Sequence, residues 1–240
     1  MRIAEYAAML ELARPNGAIY PTLAWDESAL VLIDTGFPGQ ADALVSAIAA
    51  EDFRAEEVTH IILTHQDIDH IGCLPDLLQL APSARVIAHA EEAPYIDGRK
   101  TPIKLAMLLE NYDHLPDQMK QFCDQLRAGF ANRRVAIGQT VGDGEVLPMA
   151  GGIEVVHTPG HTPGHIALFL RQSGIVITGD AANIADGQLT GPNPQHTYDM
   201  TQGMRSFEKL KAYDCSGVVA YHCGFQPRAA GLTVLSPLVI

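Results

Sequence analysis

The chain has 240 residues, 47% of them hydrophobic, and its 16 Lys and Arg against 28 Asp and Glu leave a formal charge of −12 at pH 7. That length can bury one sizeable core, whereas the acidic balance repels phosphate backbones and excludes nucleic acid as the expected partner. No segment approaches the roughly 20 apolar residues a bilayer crossing needs, and the first thirty residues lack an uninterrupted apolar stretch of the secretory kind, so a cytoplasmic protein with no membrane partner is expected.

In chain order, Ile19 to Trp25 and Ala29 to Ile33, separated by Asp26-Glu27-Ser28, read as a hairpin whose second strand runs into Asp34-Thr35-Gly36. Ala41, Leu44, Val45, Ile48 and Ala49 fall at helical spacing and predict an amphipathic helix packed on the sheet. An apolar strand over Thr59 to Leu63 follows, then a helix from about Asp69 through Leu80, stopped before Pro82. Between His89 and Ile153 the pattern turns mostly helical, an insertion over about 90–135 with helices at Lys104 to Tyr112 and Pro116 to Phe130. Strands at Ile153 to Val156, Ile166 to Leu170, Ile175 to Thr178 and from Val218 complete the reading, with a loop over Asn183 to Gln195 and a helix starting near Thr197 to Asp199.

The densest chemistry is Thr64-His65-Gln66-Asp67-Ile68-Asp69-His70, directly after a strand. His and carboxylate side chains suit zinc, and added carboxylate moves the preference toward iron or manganese. Three later strands end in further ligand types: Thr158-Pro159-Gly160-His161, Thr178-Gly179-Asp180 and Tyr221-His222. Ligands at the carboxyl ends of strands of one sheet can converge although far apart in sequence. A lone His in a polar loop is usually a hydrogen-bonding surface residue, and His89, His114, His157, His165 and His196 are read that way. The four cysteines, Cys73, Cys123, Cys215 and Cys223, have neither Cys-x-x-Cys spacing nor the density of a disulfide framework and read as reduced thiols.

With these motifs the chain resembles the metallo-β-lactamase superfamily, whose signature is a His-x-His-x-Asp-His loop, a Gly-His turn, a bridging Asp and a final His. The resemblance spans almost everything from Asp34 to Gly224. It implies an α/β fold, a four-layer αβ/βα sandwich forming a single domain over 1–240, with the helical insertion over the active site. It also implies two divalent metal ions, zinc first, with iron or manganese as alternatives. Carried over by position, His65, Asp67 and His161 hold the first ion and Asp69, His70 and His222 the second, Asp180 bridges them, and Asp34 supports a ligand histidine from behind. The departure is Asp67, which stands where the family's second histidine belongs and makes the site richer in oxygen and harder.

The function implied is metal-dependent hydrolysis, in which a hydroxide held between the metals attacks an ester, thioester, lactone or amide carbonyl of a small molecule. Asp69, keeping one oxygen free, is the expected proton carrier and catalytic residue. Asn183, Met107 and Tyr112 are candidates for the substrate pocket, and the Met and Phe content of the insertion suits an apolar acyl or aromatic substrate. The insertion is read with equal weight as a cover for the cleft and as a face for packing or a homodimer. Two other classes stand beside the hydrolase: an iron oxidoreductase of the flavodiiron or dioxygenase type, suggested by Asp67, and a metal-binding protein without catalysis.

Overall fold

Strands whose residues are apolar on both faces need cover on both sides, and this chain supplies it by stacking two sheets and flanking each with helices. The computed structural model describes residues 1–228. Its first half runs β1 (Arg2–Ala4), β2 (Ala7–Met9), β3 (Leu12–Arg14), β4 (Gly17–Ile19), β5 (Thr22–Trp25), β6 (Leu30–Ile33), α1 (Ala41–Ala49), β7 (His60–Leu63), α2 (Ile68–Ile71), α3 (Leu74–Leu80), β8 (Arg85–His89), α4 (Ala93–Ile96), α5 (Ile103–Glu110), α6 (Asp117–Phe130) and β9 (Gln139–Val141). The second half runs β10 (Val146–Leu147), β11 (Ile153–His157), β12 (Ile166–Leu170), β13 (Ile175–Ile177), β14 (Asn183–Ala185), β15 (Gln188–Thr190), α7 (Met200–Lys211), β16 (Gly217–Ala220) and β17 (Gly224–Pro227).

One sheet has the order β1-β2-β5-β6-β7-β8-β9 and the other β10-β11-β12-β13-β16-β17. The two-residue alternation of a strand sorts its side chains between layers. On β6 and β7, Leu30, Leu32, Ile61 and Leu63 face α1 and α3, where they meet Leu44, Ile48, Leu74 and Leu77. Val31, Ile33 and Ile62 face the other way, onto Val155, Leu168 and Ile177 of the second sheet. The outer face of the second sheet, with Val156, Ala167 and Val176, is covered by Leu210 of α7. Four layers result. Cutting Ile61 or Ile62, both fully buried, back to Ala would cost about 2–5 kcal/mol.

Parallel pairing of β6 with β7, β7 with β8 and β13 with β16 puts the carboxyl ends of β6, β7, β13 and β16 along one edge of the sandwich. The site is built there. Among the described residues no helix is long and apolar enough to cross a membrane.

The predicted hairpin is shorter than the apolar letters suggest, pairing Trp25 with Leu30, because Ile19 belongs to the β3–β4 ribbon, where it faces Leu12. The expected continuous helix from Asp69 to Leu80 is two pieces, α2 and α3, broken at Gly72-Cys73. Pro75 sits in the first turn of α3, where its missing N–H costs nothing, whereas inside one long helix it would remove a backbone bond. The predicted insertion helices are α5 and α6, ending within two residues of the expected bounds.

Candidate metal centre

Asp34 follows directly on β6, and its backbone takes the left-handed region at φ 60°, a conformation Asp tolerates better than most side chains. The turn aims the carboxylate into the protein. It accepts hydrogen bonds from Thr64 N–H at 2.9 Å, from the Thr64 hydroxyl at 2.8 Å and from His70 Nδ1 at 2.8 Å. The hydroxyl proton is thereby spent on Asp34, so Thr64 Oγ1 accepts from His65 Nδ1 at 3.0 Å. Both imidazoles are fixed with Nε2 turned toward the cluster.

The other ligand types come from three more strand ends. After β11, the Thr158-Pro159-Gly160 turn carries His161, and α7 grips it: Asp199 N–H donates to the Gly160 carbonyl at 2.8 Å and the Ser206 hydroxyl to the Pro159 carbonyl at 2.7 Å. This needs glycine twice, since a Cβ on Gly160 would lie 2.3 Å from Gly203 Cα. After β13, Gly179 at φ 52° delivers Asp180, and a Cβ there would come within 2.7 Å of His165 Nε2. After β16, Tyr221 stacks on His70 with ring centroids 3.8 Å apart and donates its hydroxyl to the Asp69 carbonyl at 2.5 Å. His222 follows it into the cleft.

The seven predicted ligand residues converge. His65, His161 and Asp180 form one group able to hold a metal ion, and Asp69, His70 and His222 a second. His65 Nε2 is 3.2 Å from Asp67 Oδ2, and His161 Nε2 is 2.9 Å from Asp67 and 3.4 Å from Asp180. His70 Nε2 is 3.4 Å from Asp180, and His222 Nε2 is 3.4 Å from Asp69 and 3.3 Å from Asp180. Two ligands on a tetrahedral ion with bonds of 2.0–2.1 Å are about 3.3 Å apart, so these spacings fit divalent ions. So does a second observation: His65 Nε2, His70 Nε2 and Asp180 Oδ1 are buried without a hydrogen-bond partner, a costly state that a cation would relieve.

Electrostatics separate the ligands. Burial, with His70 alongside, pulls the His65 imidazole down to about 4, so it is neutral and its lone pair is available. Burial would raise the Asp67 carboxyl, but His65, His161 and Lys104 override it and hold it well below the usual carboxylate range. Asp180 is likewise held low against its burial by His161, His70 and His222.

Several residues around the centre carry no signal in the sequence. Glu92, fully buried, accepts from Gln66 N–H and Gln66 Nε2 at 2.9 Å and from Gly164 N–H at 2.9 Å, tying the His65–Asp67 loop to the His161 turn. Lys104 of the insertion contacts Asp67. His165 accepts the Asp180 N–H on Nε2 at 3.0 Å and bonds Thr158 through Nδ1 at 2.8 Å, so both ring nitrogens are used away from the ligand cluster. Among the other histidines, His89 stacks on His157 at 4.3 Å. Of the pocket candidates, Asn183 has its Oδ1 3.7 Å from the sulfur of Cys223, the residue after His222, and donates its amide to the Gly191 carbonyl at 3.2 Å. Tyr112 instead donates to Asp124 at 2.8 Å within the insertion, and Met107 is half exposed on α5.

The family description of the metallo-beta-lactamase superfamily matches residues 14–222. The probable metallo-hydrolase YflN of Bacillus subtilis (strain 168) is 28% identical over 212 residues, covering 81% of this chain and 75% of its own length. An atrochrysone carboxyl ACP thioesterase of Cryptosporiopsis sp. (strain 8999) is 23% identical over 78% of this chain, which spans 44% of that protein. A crystal structure of a metallo-beta-lactamase family protein from Thermus thermophilus superposes with a TM-score of 0.74 at 23% identity, covering 94% of this chain and 76% of the other. The chain therefore belongs to the metallo-beta-lactamase superfamily and is one of its metal-dependent hydrolases.

Proposed function

We propose that the chain hydrolyses an ester or thioester of a small molecule, with Asp69 as its proton carrier. The observation that carries this reading is the convergence of three buried, unpartnered ligand atoms with carboxylates at tetrahedral-edge spacing. His65, Asp67, Asp69, His70, His161, Asp180 and His222 would hold two divalent ions, zinc first. Such ions supply a Lewis acid and a water acidic enough to ionise near neutral pH.

The chain's own groups do the rest. Asp69 Oδ2 faces His222 at 3.4 Å, while its backbone carbonyl is anchored by Tyr221; the anchored carboxylate can take a proton and return it to the leaving group. Asp34 and Thr64 keep the imidazoles from turning, so no reorganisation accompanies the reaction. The thioesterase among the relatives supports the acyl-sulfur choice.

A panel of ester, thioester, lactone, β-lactam and phosphodiester substrates, presented to zinc-, manganese- and iron-loaded protein, tests the reading. Metal-dependent cleavage of acyl esters or thioesters is the expected result. Cleavage of phosphodiesters alone, or oxygen uptake by the iron form without hydrolysis, would overturn it.

A further inference from the structure

The helical insertion reaches the metal centre through one side chain. Lys104, in the first turn of α5, sets its ammonium in direct contact with Asp67 Oδ2 and 3.1 Å from His161 Nε2. Its delivery is buttressed. Ile103 N–H donates to Gln66 Oε1 at 2.8 Å, and Gln66 is itself held by the buried Glu92. Lys104 is 34% exposed where Asp67 is 10% exposed, so the lysine side chain stays partly in reach of solvent while the carboxylate it contacts is buried. Among the described residues no lysine or arginine forms an ion pair with Asp69 or Asp180, whose neighbours are all imidazoles.

We propose that Lys104 competes with a metal ion for Asp67 and His161, so that the two half-sites fill unequally. The inference rests on the reading of these residues as metal ligands. Lone pairs and charge decide the competition. A neutral imidazole nitrogen has a single acceptor lone pair; in the tautomer in which His161 Nε2 accepts from the Lys104 ammonium at 3.1 Å, and does not donate to Asp67 Oδ2 at 2.9 Å, that pair is not available to a metal. Asp67 Oδ2 is already neutralised at contact distance, and a divalent ion brought to the same atom repels the ammonium. The half-site of Asp69, His70 and His222 meets no such competitor and fills first. The half-site of His65, Asp67 and His161 fills when the lysine, on its flexible four-carbon stem, swings into the cleft. A histidine in place of Asp67 would lack the carboxylate that holds the ammonium, which makes the acidic substitution and the lysine one device.

Full-length protein, stripped with a chelator and dialysed against graded zinc, tests this by the number of zinc ions bound per chain. The expected curve has two steps, with the second ion on the order of 100-fold weaker than the first. Lys104→Met should tighten the second step at least about 10-fold and leave the first in place, whereas Lys104→Arg should keep the steps apart. In the unaltered protein, amine-reactive labelling mapped by peptide mass spectrometry should find Lys104 protected at one zinc per chain and labelled at two. Two ions bound with indistinguishable affinity, an unmoved second step in Lys104→Met, or labelling that ignores the second ion would each overturn the lysine's role while leaving the metal centre standing. Binding of no zinc at all would remove the metal centre and this inference with it.

Discussion

The two halves of the metal centre use similar side chains but are backed by different chemistry. His70, in the second half-site, is held from behind by Asp34 at 2.8 Å and covered by the Tyr221 ring at 3.8 Å. His65 and His161, in the first, face the Asp67 carboxylate, His161 also meets the ammonium of Lys104, and their loops are joined by Glu92. A carboxylate behind an imidazole strengthens it as a ligand, whereas a lysine in front of one occupies it. If the proposed half-sites hold their ions as inferred, the groups around the ligands, and not ligand identity alone, set how tightly each is held.

The largest expected effect lies in the second half-site. Asp69→Asn keeps the shape but removes the proton acceptor, and turnover should fall by about 10²–10⁴-fold while zinc content per chain falls far less. Parallel loss of both, measured by steady-state kinetics and metal analysis on one preparation, would make Asp69 purely structural. Next comes Asp34→Ala, which strips the partner from His70 and Thr64 and should cost about 3–5 kcal/mol of stability in urea unfolding, together with the first, tighter zinc step. Retention of that step would show that the two halves do not differ in the way described.

Glu92→Ala probes the other half. It leaves the Gln66 and Gly164 N–H groups buried without their acceptor, at about 1–3 kcal/mol each, and should weaken only the second zinc step. A loss spread equally over both steps would mean that Glu92 supports the whole cleft. Tyr221→Phe is smaller: one hydrogen bond to the Asp69 carbonyl, about 1 kcal/mol, with the stacking on His70 retained.

The smallest effect is a pH dependence. Burial, with His65 and His161 nearby, pushes His165 well below its ordinary value of 6.5, so the folded chelator-treated protein keeps it neutral while the unfolded chain protonates it. Its contribution is fully present above 6.5 and declines as the pH falls below that value. Urea midpoints at several pH values should show this slope, and His165→Gln should flatten it; an unchanged slope would assign the acid sensitivity to other groups.

The letters of the chain were enough for the apolar strands, because a run such as His60-Ile61-Ile62-Leu63 can be buried on both faces only inside stacked layers. They also carried the ligand types at the strand ends, since density and order along the chain are visible without coordinates. Helix boundaries were less legible at Cys73, where Pro75 competes with an otherwise continuous apolar pattern. On the insertion, the polarity of Met107 and Tyr112 does not say which side of a helix meets the cleft: Lys104 does so, whereas Tyr112 serves the insertion itself.

What the sequence determined by itself is the inventory: which side chains can bind a cation and which strands can carry them. Tertiary structure alone decided the partners. Lys104 lies 37 residues from Asp67 and 57 from His161, and Glu92 lies 26 from Gln66 and 72 from Gly164. No periodicity or motif links positions that far apart, because such pairs are created by the packing of α4 and α5 against the loop after β7 and not by any local preference of the backbone.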